Sequence, residues 1–513
     1  MKKTTVFLTL ALAALILFVS CGEDPFFHDV TITDRDKVTT EVVFDGNDFT
    51  LPANSDAEFL GWKVNDDKYI KAPGEKVTVN GDVAVKAIYT DTEDDTICLL
   101  VYVLTDPDGN FTGSFTSESA KRAVVPEGEI EVLKAKDVTC EGAAFDGWYT
   151  DKDADGNRTR YTDGDTIEVT KFTKLYANWI DDNLEYTSST SGETEVTTVT
   201  PKSGATAKSY KVSGWYQGKK VTEVGGFQSV KDYIETIKLP DTITTIAYEA
   251  FNRCSKLTSC NLPSGLKTIG AGAFYECEKI TSVNFPSSLE TIDFMAFENC
   301  SGITSIVLPS GLKTIGSDAF YNCDLTGKIV IPASVTSIGR GAFMSNEKIT
   351  SFEFEEGSAI TTIPEYLFSY CGITSLPELP STVTKIENNA FEYNAFTSLT
   401  ISDSVTEIGD QAFRYCTSLA TVYIPDSVTK IGSQAFVECS ALSGVNIGTG
   451  INTIGNNAFS GCAKDLGIDI KKTISQIKDI EGYDVCWRSI DSGESDNHTG
   501  VYGTDGTVKE LNS

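Results

Sequence analysis

The chain has 513 residues, of which 42 are Lys or Arg and 73 are Asp or Glu, so its formal charge is 42 minus 73, or -31. This much negative charge opposes binding to a phosphate backbone and argues against a nucleic-acid partner. With only two histidines, His28 and His498, most imidazole-dependent catalysis is excluded as well.

The first 21 residues have the pattern of a bacterial export leader. Two lysines precede an apolar run over residues 6–19, and Ser20 and Cys21 follow it. A small residue followed by cysteine resembles a lipobox, in which the cysteine is acylated and becomes the mature N-terminus. We therefore predict a lipoprotein signal peptide over 1–21, lipidation at Cys21 and a surface-exposed position in the cell envelope. An uncleaved anchor and ordinary signal cleavage are the alternatives.

Two segments, 36–91 and 97–181, share a pattern of alternating strands, and a linker is predicted before them over 22–35. Phe59-Leu-Gly-Trp62 in the first corresponds to Phe145-Asp-Gly-Trp148 in the second. This pattern resembles the Listeria-Bacteroides repeat. The resemblance implies two small β-grasp-like modules that act as a stalk. We expect their aromatic side chains to form a core rather than a carbohydrate platform.

Part of the second module is similar to a calcium-binding loop. Asp151, Asp153 and Asp155 stand at the first, third and fifth positions, and Gly156 at the sixth. The twelfth position is Thr162 rather than a bidentate glutamate, and no predicted helix flanks the segment. We therefore prefer an acidic hairpin turn to a metal site, and we predict no cofactor for the chain.

The next segment, 183–226, is rich in Ser and Thr and is predicted to be an N-terminal cap. A linker over 186–207 is the alternative. At the other end, residues 464–513 depart from the repeat described below and are predicted to form a C-terminal cap, with strands near Asp469 and over 500–508.

Residues 227–463 consist of an internal repeat. Its marker is an Ala-Phe pair, once Leu-Phe, at intervals of 23, 23, 23, 23, 25, 23, 22, 23 and 23 residues. The repeated phenylalanines are Phe251, Phe274, Phe297, Phe320, Phe343, Phe368, Phe391, Phe413, Phe436 and Phe459. A degenerate earlier copy ends at Phe227, so eleven rungs are predicted.

Each unit carries two short apolar runs. In one unit, Val283 and Phe285 alternate with polar residues and predict a half-buried strand, which Pro286 ends because proline cannot donate to a ladder. Leu289 and Ile292 form the second run. Stacking the rungs about 4.8 Å apart would bury all of these residues in one core. The predicted fold class is thus mainly β, a solenoid of parallel short strands with little helix.

Three residues after each repeated phenylalanine stands a cysteine or, twice, an asparagine. The column reads Cys254, Cys277, Cys300, Cys323, Asn346, Cys371, Asn394, Cys416, Cys439 and Cys462. Disulfides or a metal array are the alternatives in an exported protein. One cysteine per rung, at the same position of each repeat, instead favours a column of small buried side chains. Such side chains would form hydrogen bonds to the backbone of the turns, as Asn or Cys does in leucine-rich repeats. Cys98, Cys140 and Cys486 stay unassigned.

The unit closely resembles the BspA-like leucine-rich repeats of bacterial surface proteins, whose pattern ending in Ala-Phe-x-x-Cys is nearly reproduced between Leu419 and Cys439. The resemblance covers about 227–463. It implies an exported, curved solenoid that adheres to host matrix proteins or to other bacteria. The rungs at 346–371 and 394–401 differ in length, and we expect them to distort the sheet.

The candidate binding surface is formed by the residue that points outward between two buried positions of each strand. These residues are Asn261, Asn284, Val307, Val330, Glu353, Thr400, Tyr423 and Asn446. They vary from rung to rung, whereas the inward column does not, and solenoids bind partners along such faces. Val307, Val330 and Tyr423 favour contact with protein.

No nucleophile, phosphate-loop or zinc motif is present, and a glycosidase using two carboxylates is the remaining enzymatic alternative. We therefore predict a lipid-anchored adhesin without enzymatic activity. Its ligand would be a protein on a host cell, in the extracellular matrix or on other bacteria. A scaffold or spacer of the envelope without a dedicated ligand is the alternative.

Overall fold

The computed structural model describes most of the solenoid and parts of the segments on either side of it. The described residues are 27–34, 37–44, 48–52, 59–64, 70–71, 76–78, 83–89, 99–103, 114–115, 128–131, 134–153, 157–169, 172–191, 194–463, 466–471, 500–502 and 508–510. Their regular structure is almost entirely β, with single turns of 3-10 helix at Ala135–Asp137 and Phe227–Val230, which confirms the predicted fold class. No helix within these ranges has the length and apolarity that crossing a membrane requires. The predicted leader and Cys21 lie outside the described residues.

The first module is a mixed sheet with a parallel pair in its interior. Its strands are β1 (Phe27–Asp34), β2 (Lys37–Phe44), β3 (Asp48–Thr50), β4 (Phe59–Val64), β5 (Ile70–Lys71), β6 (Lys76–Thr78) and β7 (Val83–Tyr89). The main sheet runs β2-β1-β7-β4-β5, with β1 parallel to β7, and β3 pairs with β6. The linker predicted over 22–35 is therefore wrong for 27–34. Val30 and Ile32 alternate along β1 and are buried, which fits an interior strand.

The second module repeats this plan. Its strands are β8 (Leu99–Val103), β9 (Ser114–Phe115), β10 (Gly128–Glu131), β11 (Val138–Thr139), β12 (Ala143–Tyr149), β13 (Arg160–Tyr161), β14 (Thr166–Val169) and β15 (Phe172–Asp181). The main sheet runs β13-β12-β15-β8, with β8 parallel to β15. The register of β12 shifts between Phe145 and Gly147, as that of β4 does between Phe59 and Gly61. Trp148 is fully buried with Phe145 edge-on at 5.3 Å, so these aromatic residues form a core.

The segment after the second module is a cap and not a linker. Its strands are β16 (Leu184–Ser191), β17 (Thr194–Pro201), β18 (Ser209–Lys211), β19 (Trp215–Tyr216), β20 (Lys219–Lys220) and β21 (Glu223–Val224). Strands β16 and β17 form an antiparallel hairpin, and β17 then pairs in parallel with β21. The alternative of a linker over 186–207 is therefore excluded, because β17 covers the first edge of the solenoid.

A buried carboxylate joins the second module to this cap. The Asp146 side chain is 4% exposed and accepts hydrogen bonds from the Tyr149 hydroxyl at 2.5 Å and from Asn178 Nδ2 at 3.1 Å. The Arg160 guanidinium forms an ion pair with it at 3.1 Å. From the cap, the backbone N–H of Gln217 donates to the same carboxylate at 3.2 Å. The second module is thus docked on the solenoid, which differs from the free stalk that its resemblance implies.

The solenoid itself is built from very short parallel strands. They are β22 (Thr236–Lys238), β23 (Thr245–Ile246), β24 (Ser259–Cys260), β25 (Thr268–Ile269), β26 (Thr291–Ile292), β27 (Thr314–Ile315), β28 (Thr326–Ile331), β29 (Ser337–Ile338), β30 (Lys348–Phe354), β31 (Thr362–Ile363), β32 (Lys385–Ile386), β33 (Ser398–Thr400), β34 (Glu407–Ile408), β35 (Thr421–Ile424), β36 (Lys430–Ile431), β37 (Gly444–Ile447), β38 (Thr453–Ile454), β39 (Gly467–Ile470), β40 (Gly500–Tyr502) and β41 (Val508–Glu510). Each rung has three sides. We call them the strand face, which bears the candidate binding residues, the Thr-Ile sheet, which bears the second apolar run, and the turn face around each Ala-Phe pair.

The Thr-Ile sheet is the more continuous of the two ladders. One part runs β16-β17-β21-β23-β25-β26-β27-β29 and the other β31-β32-β34-β36-β38. The interruption between β29 and β31 falls in the rung with the two-residue insertion, so the predicted distortion at 346–371 is confirmed. The strand face forms three separate ladders, β18-β22-β24, β28-β30 and β33-β35-β37-β39-β40-β41. In the last of these, β40 and β41 extend the sheet beyond the final repeat.

The strand predicted from Val283 and Phe285 is not formed, because residues 281–286 have no regular structure. Both side chains nevertheless pack against the core. The neighbouring rungs are held together elsewhere, since Thr268, Thr291 and Thr314 pair in register in the Thr-Ile sheet. A rung can therefore lose its strand-face ladder without leaving the stack.

The turn face owes its shape to left-handed residues on both sides of each Ala-Phe pair. In one rung, Met295 and Asn299 have φ of 55° and 59°. The N–H groups of Met295, Phe297 and Asn299 donate to carbonyls of the following rung at 2.9, 2.8 and 2.9 Å. Every second N–H thus points toward the C-terminal end, and the N–H groups between them close tight turns within the rung.

The repeated phenylalanines stack along the interior. The ring centroid of Phe297 lies 5.1 Å from that of Phe274 and 5.5 Å from that of Phe320, with interplanar angles of 7° and 1°. All three side chains are at most 1% exposed. This column places one aromatic ring from each rung in the same continuous core.

Candidate functional site

The candidate residues of the strand face lie at the surface, as the alternation predicts. Seven of the eight are exposed and Glu353 is partly exposed. Val307 stands out at 83% exposure, and Val330 and Tyr423 are exposed to 36% and 38%. The inward positions of the same strands, such as Ile329 and Val422, are buried. Five of the eight lie in two ladders of the strand face, namely Val330, Glu353, Thr400, Tyr423 and Asn446, whereas Asn261, Asn284 and Val307 lie outside the strands.

Some of these side chains also have structural partners. The Asn261 amide accepts from the N–H of Leu239 and donates to its carbonyl, both at 2.9 Å. Glu353 forms an ion pair with Lys328 at 2.5 Å. Asn261 therefore supports the backbone of the preceding rung. Val307 is an exposed apolar side chain for which packing gives no reason, so it is the strongest pointer to a partner on this face.

The side chains of the cysteine column hydrogen-bond each rung to the preceding one. Each buried thiol lies near the carbonyl of the phenylalanine one rung earlier: Cys300 Sγ is 3.0 Å from Phe274 O, and Cys323 Sγ is 3.0 Å from Phe297 O. Asn346 makes the equivalent hydrogen bond, since its Nδ2 donates to Phe320 O at 2.9 Å. The prediction of a buried column that bonds turn backbone is confirmed.

The buried cysteines of the column are free thiols among the described residues. No group of three or more His, Cys, Asp or Glu side chains comes together within the described ranges. Burial raises the pKa of the Cys300 thiol to about 12, so it keeps its proton near neutral pH. Cys140 is partly buried in the second module, and Cys98 and Cys486 lie outside the described residues.

Replacing Cys300 with alanine should lower the free energy of unfolding by about 1–3 kcal/mol, because Phe274 O loses a buried donor. Urea denaturation followed by tryptophan fluorescence measures this. The variant Cys300→Ser keeps a donor and should lose less. Equal losses for alanine and serine would show that the thiol acts by its volume alone.

The described residues on either side of 154–156, in the segment that is similar to a calcium loop, are hydrogen-bonded to each other. Asp153 Oδ1 accepts from the N–H of Asn157 at 2.7 Å, and Asp153 N–H donates to Asn157 O at 2.8 Å. Burial raises the pKa of the Tyr176 phenol to about 12, and the neighbouring Asp151 carboxylate contributes to the same shift. Asp155 lies outside the described residues. The described part fits the acidic hairpin turn that the sequence favours.

A second group of side chains, exposed or partly exposed on the turn face, was not predicted. Tyr370, Tyr393 and Tyr415 come from three successive rungs and stack with centroids 4.4 and 4.5 Å apart. The Arg414 guanidinium lies 4.8 Å from the ring of Tyr415. Each tyrosine stands two residues after a repeated phenylalanine, so the shared register was a signal in the sequence that could have identified them.

These features define the class of protein: a leucine-rich-repeat solenoid, with short parallel strands and tight turns around one core. Residues 224–350 and 336–466 match the BspA type leucine rich repeat region in six copies. Residues 109–178 match the Listeria-Bacteroides repeat domain. The solenoid is thus of the BspA type and is preceded by a Listeria-Bacteroides repeat, which confirms both resemblances.

Several solved structures are similar to this chain. A leucine-rich repeat protein from Bacteroides ovatus is 22% identical, with a TM-score of 0.35, over 59% of this chain and 97% of its own. One from Eubacterium ventriosum is 23% identical, with a TM-score of 0.37, over 54% and 74%. A leucine rich cell surface protein from Faecalibacterium prausnitzii is 23% identical, with a TM-score of 0.35, over 60% and 99%. Comparison with curated proteins gives no match. The family assignment therefore depends on the repeat matches.

Proposed function

We propose that this protein is a non-enzymatic, lipid-anchored surface protein whose strand face binds a protein on a host cell, in the extracellular matrix or on another bacterium. The observation that carries this proposal is the contrast between the two columns of the strand face. The inward residues are apolar and are buried or partly buried against the core, whereas the outward residues are exposed or partly exposed and chemically varied. Packing explains the first column but not the second.

Two further features support the location. BspA-type repeats are those of bacterial surface proteins, and the leader ends in Ser20 and Cys21 as a lipobox does. An acyl group on Cys21 would tether the chain to a membrane from outside the cytoplasm. Because the second module is docked on the cap, the solenoid would be held in a fixed orientation relative to that module.

Protease treatment of intact cells tests the location. A surface protein should lose its solenoid to the protease before the envelope is broken, whereas the variant Cys21→Ser should no longer remain with the membrane fraction. If the solenoid stays protected until the envelope is breached, the protein is an internal scaffold and the adhesive role is lost.

Replacing Val307, Val330 and Tyr423 together by serine should weaken binding of the released solenoid to its protein partner by at least about tenfold. All three side chains are exposed, so the thermal midpoint should change little. Surface plasmon resonance against a panel of matrix proteins and whole host cells measures the binding. A matched control is the triple replacement of Lys256, Lys279 and Glu347 by serine, which lies off the outward column. Equal binding by both triple variants would refute the assignment of the strand face.

A further inference from the structure

Two aromatic side chains stand uncovered on the turn face near the N-terminal end of the solenoid. Tyr248 is 68% exposed and Phe294 is 42% exposed. Each lies three residues before a repeated phenylalanine, and they belong to rungs that are two apart. The rung between them carries the small residue Ala271 at this position. The stacked phenylalanines of these three rungs lie 5.2 and 5.1 Å apart, so Tyr248 and Phe294 are separated by a gap of two such steps.

This gap is a formed cleft with a volume of about 430 Å³. Its floor is Ala271 and Gly272, and its sides include Tyr248, Tyr275 and Phe294. The Glu249 side chain packs closely over Gly272, since a Cβ added there would lie 3.3 Å from Glu249 Cγ, and the φ of 62° at this position favours glycine.

The tyrosine stack of the same face shows what is missing here. Tyr370, Tyr393 and Tyr415 occupy consecutive rungs and cover one another at 4.4 and 4.5 Å. Around Ala271 the middle ring is absent, so the rings of Tyr248 and Phe294 have no ring between them. Tyr248 and Phe294 therefore both expose aromatic surface at this cleft, and a ligand that covers such surface gains free energy by removing it from water.

The width of the gap favours a thick ring over a flat one. A planar guest between two surfaces needs two contacts of about 3.5–4.0 Å, or about 7–8 Å in total. Two rung steps of 5.2 and 5.1 Å leave additional room, which suits a puckered saturated ring whose C–H groups pack on aromatic rings.

The polar rim selects among such rings. Glu249, Asn252 and Arg253 line the cleft. A carboxylate can only accept, a guanidinium can only donate and an amide does both, so together they match hydroxyl groups, which also do both. A proline ring offers no N–H or O–H to Glu249. The chain's net charge of -31 disfavours an acidic ligand. We propose that this cleft binds a pyranose ring of a neutral glycan, independently of the strand face.

Calorimetric titration of the full-length protein with chitohexaose, maltohexaose, cellohexaose and mannohexaose tests this. At least one sugar should bind, and Tyr248→Ala and Phe294→Ala should each weaken it by about tenfold. Ala271→Phe should abolish binding, because it places a ring in the gap, and its thermal midpoint should not fall. Tyr423→Ser, on the strand face, is the control and should bind the sugar normally.

Three results would overturn the proposal. One is the absence of binding to all four sugars. Another is binding that Ala271→Phe leaves intact, which would place the sugar elsewhere. The third is binding of decaproline in the same titration that Ala271→Phe blocks, which would make the cleft a peptide site. None of these results depends on whether Val307, Val330 and Tyr423 bind a protein partner.

Discussion

Replacing Asp146 with alanine should undock the second module from the solenoid cap and lower the free energy of unfolding by about 3–5 kcal/mol. The substitution removes a buried carboxylate that Tyr149, Asn178, Arg160 and the backbone of Gln217 all contact. It would leave the Tyr149 hydroxyl, Asn178 Nδ2 and the Gln217 N–H without this acceptor. Arg160 would keep its hydrogen bond to the carbonyl of residue 146 but lose its counter-charge, and breaking a largely buried ion pair from one side is costly. Urea denaturation gives the stability, and limited proteolysis at the exposed cap reports the undocking.

The second contact between these parts passes through the same side chains. The Tyr149 hydroxyl accepts from the N–H of Gly218 at 2.9 Å, and Asn178 Nδ2 donates to Trp215 O at 2.8 Å. A suitable control is Asp153→Ala, which removes an exposed carboxylate that accepts from the N–H of Asn157. An Asp146→Ala protein as stable and as resistant to protease as this control would mean that the two parts are held by other contacts.

Replacing Phe297 with alanine should cost about 3–5 kcal/mol, because it empties one position of the stacked column. The ring contacts Phe274 and Phe320 by stacking and Phe285 edge-on at 5.7 Å. Since each rung contacts only its neighbours, the damage should stay local. Hydrogen exchange should show lost protection in the rungs around Phe297 and normal protection around Phe436.

The matched control for this prediction is Phe294→Ala, three residues away on the same turn. Its side chain is 42% exposed and lies outside the column, so its effect on stability should be within about 0.5 kcal/mol. Because Phe294 and Phe297 are so close in sequence, comparing the two variants shows the effect of burial itself rather than of position along the chain. If the two variants were equally stable, the column would not hold the rungs together. A loss of protection that spread to all rungs would show that the solenoid unfolds as one unit.

The solenoid could be predicted from the sequence because every rung repeats the same local choices. The spacing of Ala-Phe and of the cysteine column fixed the register, and the alternation in each strand separated Val422 from Tyr423 correctly. The docking of the second module could not be predicted, since Asp146 and Gln217 are 71 residues apart and belong to no shared pattern.

Two local features that the sequence did not predict correctly have a similar cause. The alternation around Val283 is present, but a strand also needs its neighbours at hydrogen-bonding distance, which a single unit does not specify. The uncovered pair of Tyr248 and Phe294 was not predicted because the residue at this position differs from rung to rung. Ala271 occupies it in the rung between them. Such a site depends on the difference between rungs, whereas repeat analysis looks for what the rungs share.

The one-directional hydrogen bonding of the turn face has a consequence for how this gene can change. Every rung offers N–H groups on one side and carbonyls on the other, as Met295 and Phe297 do toward the following rung. An extra copy of a rung therefore fits between any two existing ones, and neither cap needs to alter. Unequal recombination within the repeats would lengthen or shorten the protein in steps of about 4.8 Å. Descendants of this gene should differ first in the number of rungs.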